Sequence, residues 1–257
     1  MKKTASAMIM ALATTLFTPA PTLAEDLYVM SSGGFTAALK QLAPGYEAAS
    51  GNKIVLSLGA SMGATPTAIP NRLAKGEPGD VVFMVGYALD ALIKDGKVLA
   101  DSRKDVAFSK IGMAVRKGTP KPDISSLEAF KTAMRNAKSV AWSDSASGVY
   151  LSKEVFPRLG LAEMMKDKGR TIEGDPVGGV VSKGDFEVGF QQISELLPWP
   201  ELELLGELPG EVQKVTVFSA GVVATSKHPD AARALIAAMT APETIPVMVK
   251  TGLEPPK

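Results

Sequence analysis

Three short loops rich in serine and glycine carry residue types that could bind an anion. Each follows a predicted strand and opens a predicted helix, and together they comprise Ser31 to Gly34, Ala60 to Gly63 and Ser145 to Gly148. A helix N-terminus presents unpaired backbone N–H groups and a positive dipole end, and serine hydroxyls add further donors. Such loops can hold a negatively charged ligand without a cationic side chain, although each serine could instead serve only as a helix N-cap. The ligand contacts expected from these loops are Ser31, Ser32, Gly34, Ser61, Met62, Ser145, Ser147 and Gly148.

A fourth candidate segment runs from Gly184 to Leu196. Its predicted strand ends at Gln191 and Gln192, whose amides can both donate and accept hydrogen bonds to a ligand. Glu195 follows and is either a first-turn residue favoured by the helix dipole or a proton carrier. If the protein catalyses a proton transfer, the candidate bases are Glu195, Asp144 and Tyr150.

Composition excludes several other chemistries. The chain has no cysteine, which rules out disulfides, thiolate catalysis and cysteine-ligated metals. The one histidine, His228, lies in a polar run that precedes a predicted helix, and we expect it at the surface. No nucleophile elbow, phosphate-binding loop or dinucleotide fingerprint is present. We expect neither a metal nor a cofactor, and the net charge of +1 argues against nucleic acid as a partner.

The N-terminus predicts export from the cytoplasm. A basic start precedes an apolar run at 7–17 that is too short to span a bilayer, and Thr22 to Ala24 supplies small residues for cleavage. We predict a signal peptide over 1–24 and a mature chain over 25–257. The expected mature protein is a periplasmic monomer without stable membrane insertion.

The order of predicted strands and helices after the signal peptide indicates an α/β fold of two lobes. Strand, loop and helix alternate three times between residues 27 and 95, which indicates parallel strands with crossover helices. A strand at 109–116 is expected to carry the chain into a second lobe, and an extended stretch at 213–224 is expected to return it. The predicted lobes are 25–112 with 218–257, and 113–217.

The signal peptide, the serine loop and the run Pro78 to Phe83 together resemble the periplasmic molybdate-binding protein family, over the whole mature chain. The resemblance implies a type II periplasmic-binding-protein fold, in which two α/β lobes joined by two crossover strands hold a ligand between them. It implies ABC import, with a permease as partner. Under this resemblance Ser61 matches a ligand-binding serine of the family. Gly34 and Gln192 stand where the family has a serine and a tyrosine.

Two functions follow from these observations and stay open at this point. The first is a solute-binding protein that captures a small oxyanion or organic carboxylate in the interlobe cleft. The second is suggested by a periplasmic aconitate isomerase, which resembles the same family: cofactor-free allylic proton transfer between cis- and trans-aconitate on the same fold. A carboxylate that faces the cleft without a structural partner would favour the isomerase, because a site that only binds anions should avoid one.

Overall fold

The computed structural model describes residues 24–256. The predicted signal peptide lies outside these residues apart from Ala24. Within the described range, no helix combines the length and apolarity needed to cross a membrane.

The first lobe is built on a six-stranded sheet in the order β11-β4-β10-β3-β1-β2. Its strands are β1 (Asp26–Ser31), β2 (Lys53–Leu58), β3 (Val81–Val85), β4 (Lys104–Ser109), β10 (Thr216–Val222) and β11 (Leu253–Glu254). Strand β1 pairs in parallel with β2 and β3, whereas β10 is antiparallel to β3 and β4. All five residues of β3 are buried, as expected for a central strand covered on both faces.

The second lobe is built on a five-stranded sheet in the order β7-β6-β8-β5-β9. Its strands are β5 (Ile111–Arg116), β6 (Val140–Ser143), β7 (Gly169–Ile172), β8 (Val188–Gln192) and β9 (Leu202–Glu207). Strand β6 is parallel to β7 and β8, and β5 is antiparallel to β8 and β9. The mixed α/β architecture with two sheets confirms the predicted fold class.

Helices cover both sheets. In the first lobe they are α1 (Gly33–Ser50), α2 (Ile69–Ala74), α3 (Gly86–Lys94), α10 (Pro229–Met239) and α11 (Ile245–Lys250). In the second lobe they are α4 (Leu127–Asn136), α5 (Ala146–Tyr150), α6 (Phe156–Arg158), α7 (Ala162–Lys168), α8 (Val177–Lys183) and α9 (Ile193–Leu196). A π-helical turn, Leu151–Val155, joins α5 to α6. Phe35 of α1 stacks on Phe83 of β3 with 4.9 Å between ring centroids, which seats the start of α1 on the sheet.

The chain crosses between the lobes at two adjacent places. The stretch predicted as one strand at 109–116 is divided at Lys110, because β4 pairs in the first sheet and β5 in the second. The return lies just before β10, which begins at Thr216. The side-chain amide of Gln213 bonds both the N–H and the carbonyl of Ile111, at 2.9 Å each, so the two crossings are tied together.

Candidate functional site

A cavity of about 320 Å³ lies between the lobes. It gathers the loops that follow the parallel strands of both sheets, the usual position for ligands in open α/β sheets. Its lining is Ser32, Gly33, Gly34, Leu58, Gly59, Ala60, Ser61, Thr67, Val85, Ser143, Asp144, Ser145, Ala146, Ser147, Gly174, Asp175, Pro176, Gln191, Gln192, Glu195 and Phe218. The four predicted segments, distant in sequence, therefore meet in one place.

The serine side chains in this cavity do not cap the helices that they precede. Ser32 and Ser145 occupy the N-cap positions of α1 and α5, yet neither side chain accepts a capping hydrogen bond. The Ser61 hydroxyl accepts a bond from the Val85 N–H at 2.9 Å, which leaves its own hydrogen free to donate. The capping alternative therefore fails for Ser32 and Ser145.

Three buried polar atoms at the cavity have no hydrogen-bond partner. They are Ser32 Oγ, Asp144 Oδ2 and Gln192 Oε1; a fourth such atom within residues 24–256, Ser109 Oγ, lies at the crossing of the lobes. Each unpaired buried group costs about 1–3 kcal/mol, and proteins rarely leave several together. A ligand that bonds these atoms would recover that free energy on binding.

Glu195 faces this cavity from the first turn of α9. Its Oε1 accepts a hydrogen bond from Gln191 Nε2 at 2.9 Å, and it has no ion-pair partner in the described part of the chain. Burial raises the pKa of Glu195 to about 7, an effect that the bonds from Gln191 and the Gln192 backbone oppose and that the charge of Asp144 reinforces. Oε1 lies so close to Gly33 that a Cβ there would collide with it, so a larger residue at this position would displace the carboxylate. Near neutral pH, Glu195 can both accept and return a proton.

Asp144 is the second carboxylate in the cavity. Burial raises its pKa, and the nearby charge of Glu173 adds to the rise, while backbone N–H groups of Gly174 and of Asp144 itself oppose it. Its Oδ2 would lie 3.5 Å from a Cβ at Gly63 of the first lobe. Glu195 and Asp144 thus both come from the second lobe, and each approaches a glycine of the first.

The charge of the lining is unusual for an anion site. Three acids line it, Asp144, Asp175 and Glu195, and no lysine or arginine is among the lining residues. Negative groups on a ligand must therefore be bound by hydroxyls, amides and helix N-termini. A bound polyanion favours the protonated forms of Glu195 and Asp144, because close like charges oppose one another.

Two predicted loop contacts do not reach the lining because the fold uses them elsewhere. Ser31 ends β1 fully buried; its hydroxyl donates to the Ser32 carbonyl at 3.1 Å and accepts from Thr36 Oγ1 at 3.1 Å. Met62 packs against the first lobe's core, and its sulfur accepts a bond from the Tyr87 hydroxyl at 3.5 Å.

Gly148 and Tyr150 also lie outside the lining. Gly148 lets α5 approach the Ser143 backbone so closely that a Cβ would collide with it. Tyr150 is buried in the second lobe's core, with Lys214 Nζ 4.6 Å from its ring centroid. Tyr150 is absent from the cavity lining, and its packing in the core does not support a role as the base.

Other lining residues were not predicted from the sequence. Thr67 belongs to the loop after β2, and Asp175 and Pro176 precede α8. The turn signal Gly174–Asp175–Pro176, directly ahead of a predicted helix, could have placed a loop at the cleft. His228 lies apart from the cavity, where its Nδ1 is 2.9 Å from Glu25 Oε2.

Comparison with known proteins gives a consistent result over almost the whole chain. A family model described as bacterial extracellular solute-binding protein matches residues 27–254. The chain is 47% identical to an aconitate isomerase from a Pseudomonas species over 250 residues, which cover 96% of this chain and 95% of that protein. It is 25% identical over 241 residues to the molybdate-binding protein ModA of Azotobacter vinelandii, covering 89% of this chain and 90% of that protein. The structure of the periplasmic molybdate-binding protein from Azotobacter vinelandii superposes with a TM-score of 0.73 at 21% identity, over 90% of this chain and 100% of the other.

Proposed function

The chain belongs to the bacterial extracellular solute-binding protein family, and from this premise we propose that it is an aconitate isomerase that binds its tricarboxylate between the lobes. The observation that carries the proposal is Glu195: a carboxylate without a cationic partner in the described chain, facing the cavity with a pKa near neutrality. In its ionised form, such a group repels an anion that a protein only captures. The Pseudomonas relative supports the same reaction.

The reaction needs one group that removes a proton and returns it. Aconitate has a CH2 group next to its carbon–carbon double bond. Ionised Glu195 takes one proton from this CH2 group, and the electron pair of the broken C–H bond spreads over three carbons and the attached carboxylates. Glu195 then returns the proton to the far carbon of the former double bond. The double bond has moved by one position, its new geometry is cis or trans, and no atom or electron is gained or lost.

The loops of the cavity are suited to the charge that develops in this step. The hydroxyls of Ser32 and Ser61 and the N-terminus of α1 line the same cavity as Glu195. Fixed donors of this kind stabilise an enolate-like intermediate without having to reorganise during the reaction. Ser145 and Ser147 are further candidate contacts for the ligand carboxylates.

Asp144 supports an organic acid over a fully ionised tetrahedral oxyanion. The unpaired Oδ2 of Asp144 can form a hydrogen bond with a ligand oxygen only if one of the two carries a proton. A polycarboxylate can carry such a proton near neutral pH. Molybdate and sulfate are acceptors only, and would meet Asp144 and Glu195 as like charges.

A receptor role is the second candidate, and family membership favours it. In that role the protein captures a small anion in the same cleft and delivers it to an ABC permease. The family is extracellular by its description, and for either role we propose the periplasm as the compartment.

Proton NMR on the mature chain, 25–257, separates the two candidates. With cis-aconitate as substrate in deuterated water, the isomerase forms trans-aconitate, and Glu195→Gln abolishes this while still binding the ligand. The matched variant Asp144→Asn tests the other carboxylate as base. No turnover, together with a thermal shift for one of molybdate, tungstate, citrate or aconitate, would instead establish a receptor and identify its ligand class.

A further inference from the structure

The side-chain amide of Gln191 is held at both ends. Its Oε1 accepts a hydrogen bond from the Val177 N–H at 3.1 Å, at the start of α8. Its Nε2 donates to Glu195 Oε1 at 2.9 Å. Gln191 is 5% exposed and is the penultimate residue of β8, so the strand, the following helix and α8 together fix its position.

The orientation of this amide is set by chemistry. A backbone N–H can only donate, so the atom of Gln191 that faces Val177 must be the carbonyl oxygen. The NH2 group must then point to Glu195, where it suits a carboxylate oxygen. The contact thus favours the ionised form of Glu195, the form that can act as a base.

The same contact distinguishes the two oxygens of Glu195. Oε1 receives the Gln191 hydrogen bond and lies against Gly33, so the protein already engages this oxygen of the carboxylate. We propose that Gln191 is a positioning residue that directs Oε2 of Glu195 toward the ligand as the proton-transfer atom, an inference that rests on the proposed function. Gln191, predicted from the sequence as a ligand contact, is thereby reassigned to act through Glu195.

The neighbouring glutamine provides a matched control. Gln192 Nε2 bonds Thr216 Oγ1 at 3.0 Å, across the junction of the two lobes, and its side chain makes no hydrogen bond to Glu195 within the described residues. Both glutamines are buried and both line the cavity. Replacing either one removes an amide from the same region, but only one replacement removes a donor to Glu195.

The remaining charged groups around Glu195 are unchanged by these replacements. Asp144 and Asp175 share the ligand cavity with it. Lys40 and Lys250 line a second cavity, of about 570 Å³, on the other side of the same side chain. Because all four stay in place, a change in Glu195 titration reports on the lost amide contact.

The test follows the 13C NMR resonance of the Glu195 carboxyl carbon through a pH titration. The resonance is assigned by its absence in Glu195→Gln. In Gln191→Met the carboxylate loses a hydrogen bond that favours its ionised form. The titration midpoint of Glu195 should therefore rise by about one pH unit. In the pH profile of kcat/KM for aconitate, the acidic midpoint moves to higher pH by the same amount. Gln192→Met lowers activity but leaves both the titration midpoint of Glu195 and the acidic midpoint of the kcat/KM profile unchanged.

A second variant guards against a folding failure. Gln191→Leu removes the same donor to Glu195 without adding a charge, so the midpoint again rises. An unmoved Glu195 midpoint in both Gln191 variants would overturn the positioning role even if activity fell. No turnover by the wild-type protein would overturn the proposed function instead, and a midpoint that still moved would show that the two failures are separate.

Discussion

Replacing Glu195 with glutamine should raise the stability of the protein at alkaline pH while abolishing its activity. The replacement keeps the shape of the side chain and can still accept the hydrogen bond from Gln191 Nε2. It removes a carboxylate that has no cationic partner in the described chain. Loss of a general base lowers the rate by about 10²- to 10⁴-fold, whereas binding of the ligand should persist.

The size of the stabilisation follows from the pKa of Glu195. In the folded protein it is about 7, against an ordinary value of 4.5. Between these two pH values the folded state holds a proton that the unfolded state has released, so the free energy of unfolding falls as pH rises. At about 1.36 kcal/mol per pH unit, the cost reaches about 3 kcal/mol above pH 7, an upper limit because cleft water solvates part of the side chain. Below pH 4.5 the carboxyl is neutral in both states, and this cost disappears.

Urea unfolding of wild type and Glu195→Gln at pH 4, 6 and 8 measures this effect directly. The variant should gain little at pH 4 and about 1–3 kcal/mol at pH 8. Glu163→Gln, which removes an exposed ion pair to Lys166 in α7, serves as control and should change the free energy of unfolding by less than about 1 kcal/mol at every pH. An advantage of Glu195→Gln that is the same at every pH would refute the buried-carboxylate reasoning, as would a loss of stability that grows with pH.

Three further predictions address the binding loops and the histidine. Ser61→Ala should weaken aconitate binding by about 1–3 kcal/mol in a calorimetric titration, because a charge-assisted hydrogen bond is lost; unchanged affinity would remove the hydroxyl from the site. Gly33→Ala should abolish turnover by displacing the nearby carboxylate, while Gly45→Ala in the same helix, where a Cβ meets nothing within 4 Å, should leave activity intact. Equal activity in the two alanine variants would contradict the close approach at position 33. His228→Ala should preserve activity and ligand affinity, since its contact is with Glu25 at the surface; a large loss in the folded variant would revive a histidine mechanism.

The local pattern of the sequence was enough to predict most of the loops that line the interlobe cavity. Ser32, Ser61, Ser145 and Ser147 all reach the cavity, because a small-residue loop between a strand and a helix falls at the carboxyl end of a parallel sheet. The same pattern could not tell which members of each loop face inward. Ser31 precedes Ser32 by one residue, yet it points into the fold, since successive residues of an extended chain alternate sides.

The strand boundary between the lobes and the position of Tyr150 depended on contacts between residues far apart in the sequence. The stretch at 109–116 reads as one strand, and its division at Lys110 arises only because each half pairs with a different sheet. Tyr150 is an acceptable base by residue type alone. Packing against the second lobe's core removes it, and no signal near it in the sequence records that packing.

The sequence by itself determined the extracellular, two-lobed α/β class of the chain, the absence of cysteine, and the short list of carboxylates that could carry a proton. These properties depend on residue type and on periodicity over a few residues. Only the tertiary structure decided that Glu195 lies between Gln191 and Gly33, in a lining without lysine or arginine. The pKa of a carboxyl group is set by the water, charges and donors within a few ångströms, and here those neighbours come from both lobes and from residues more than a hundred positions apart.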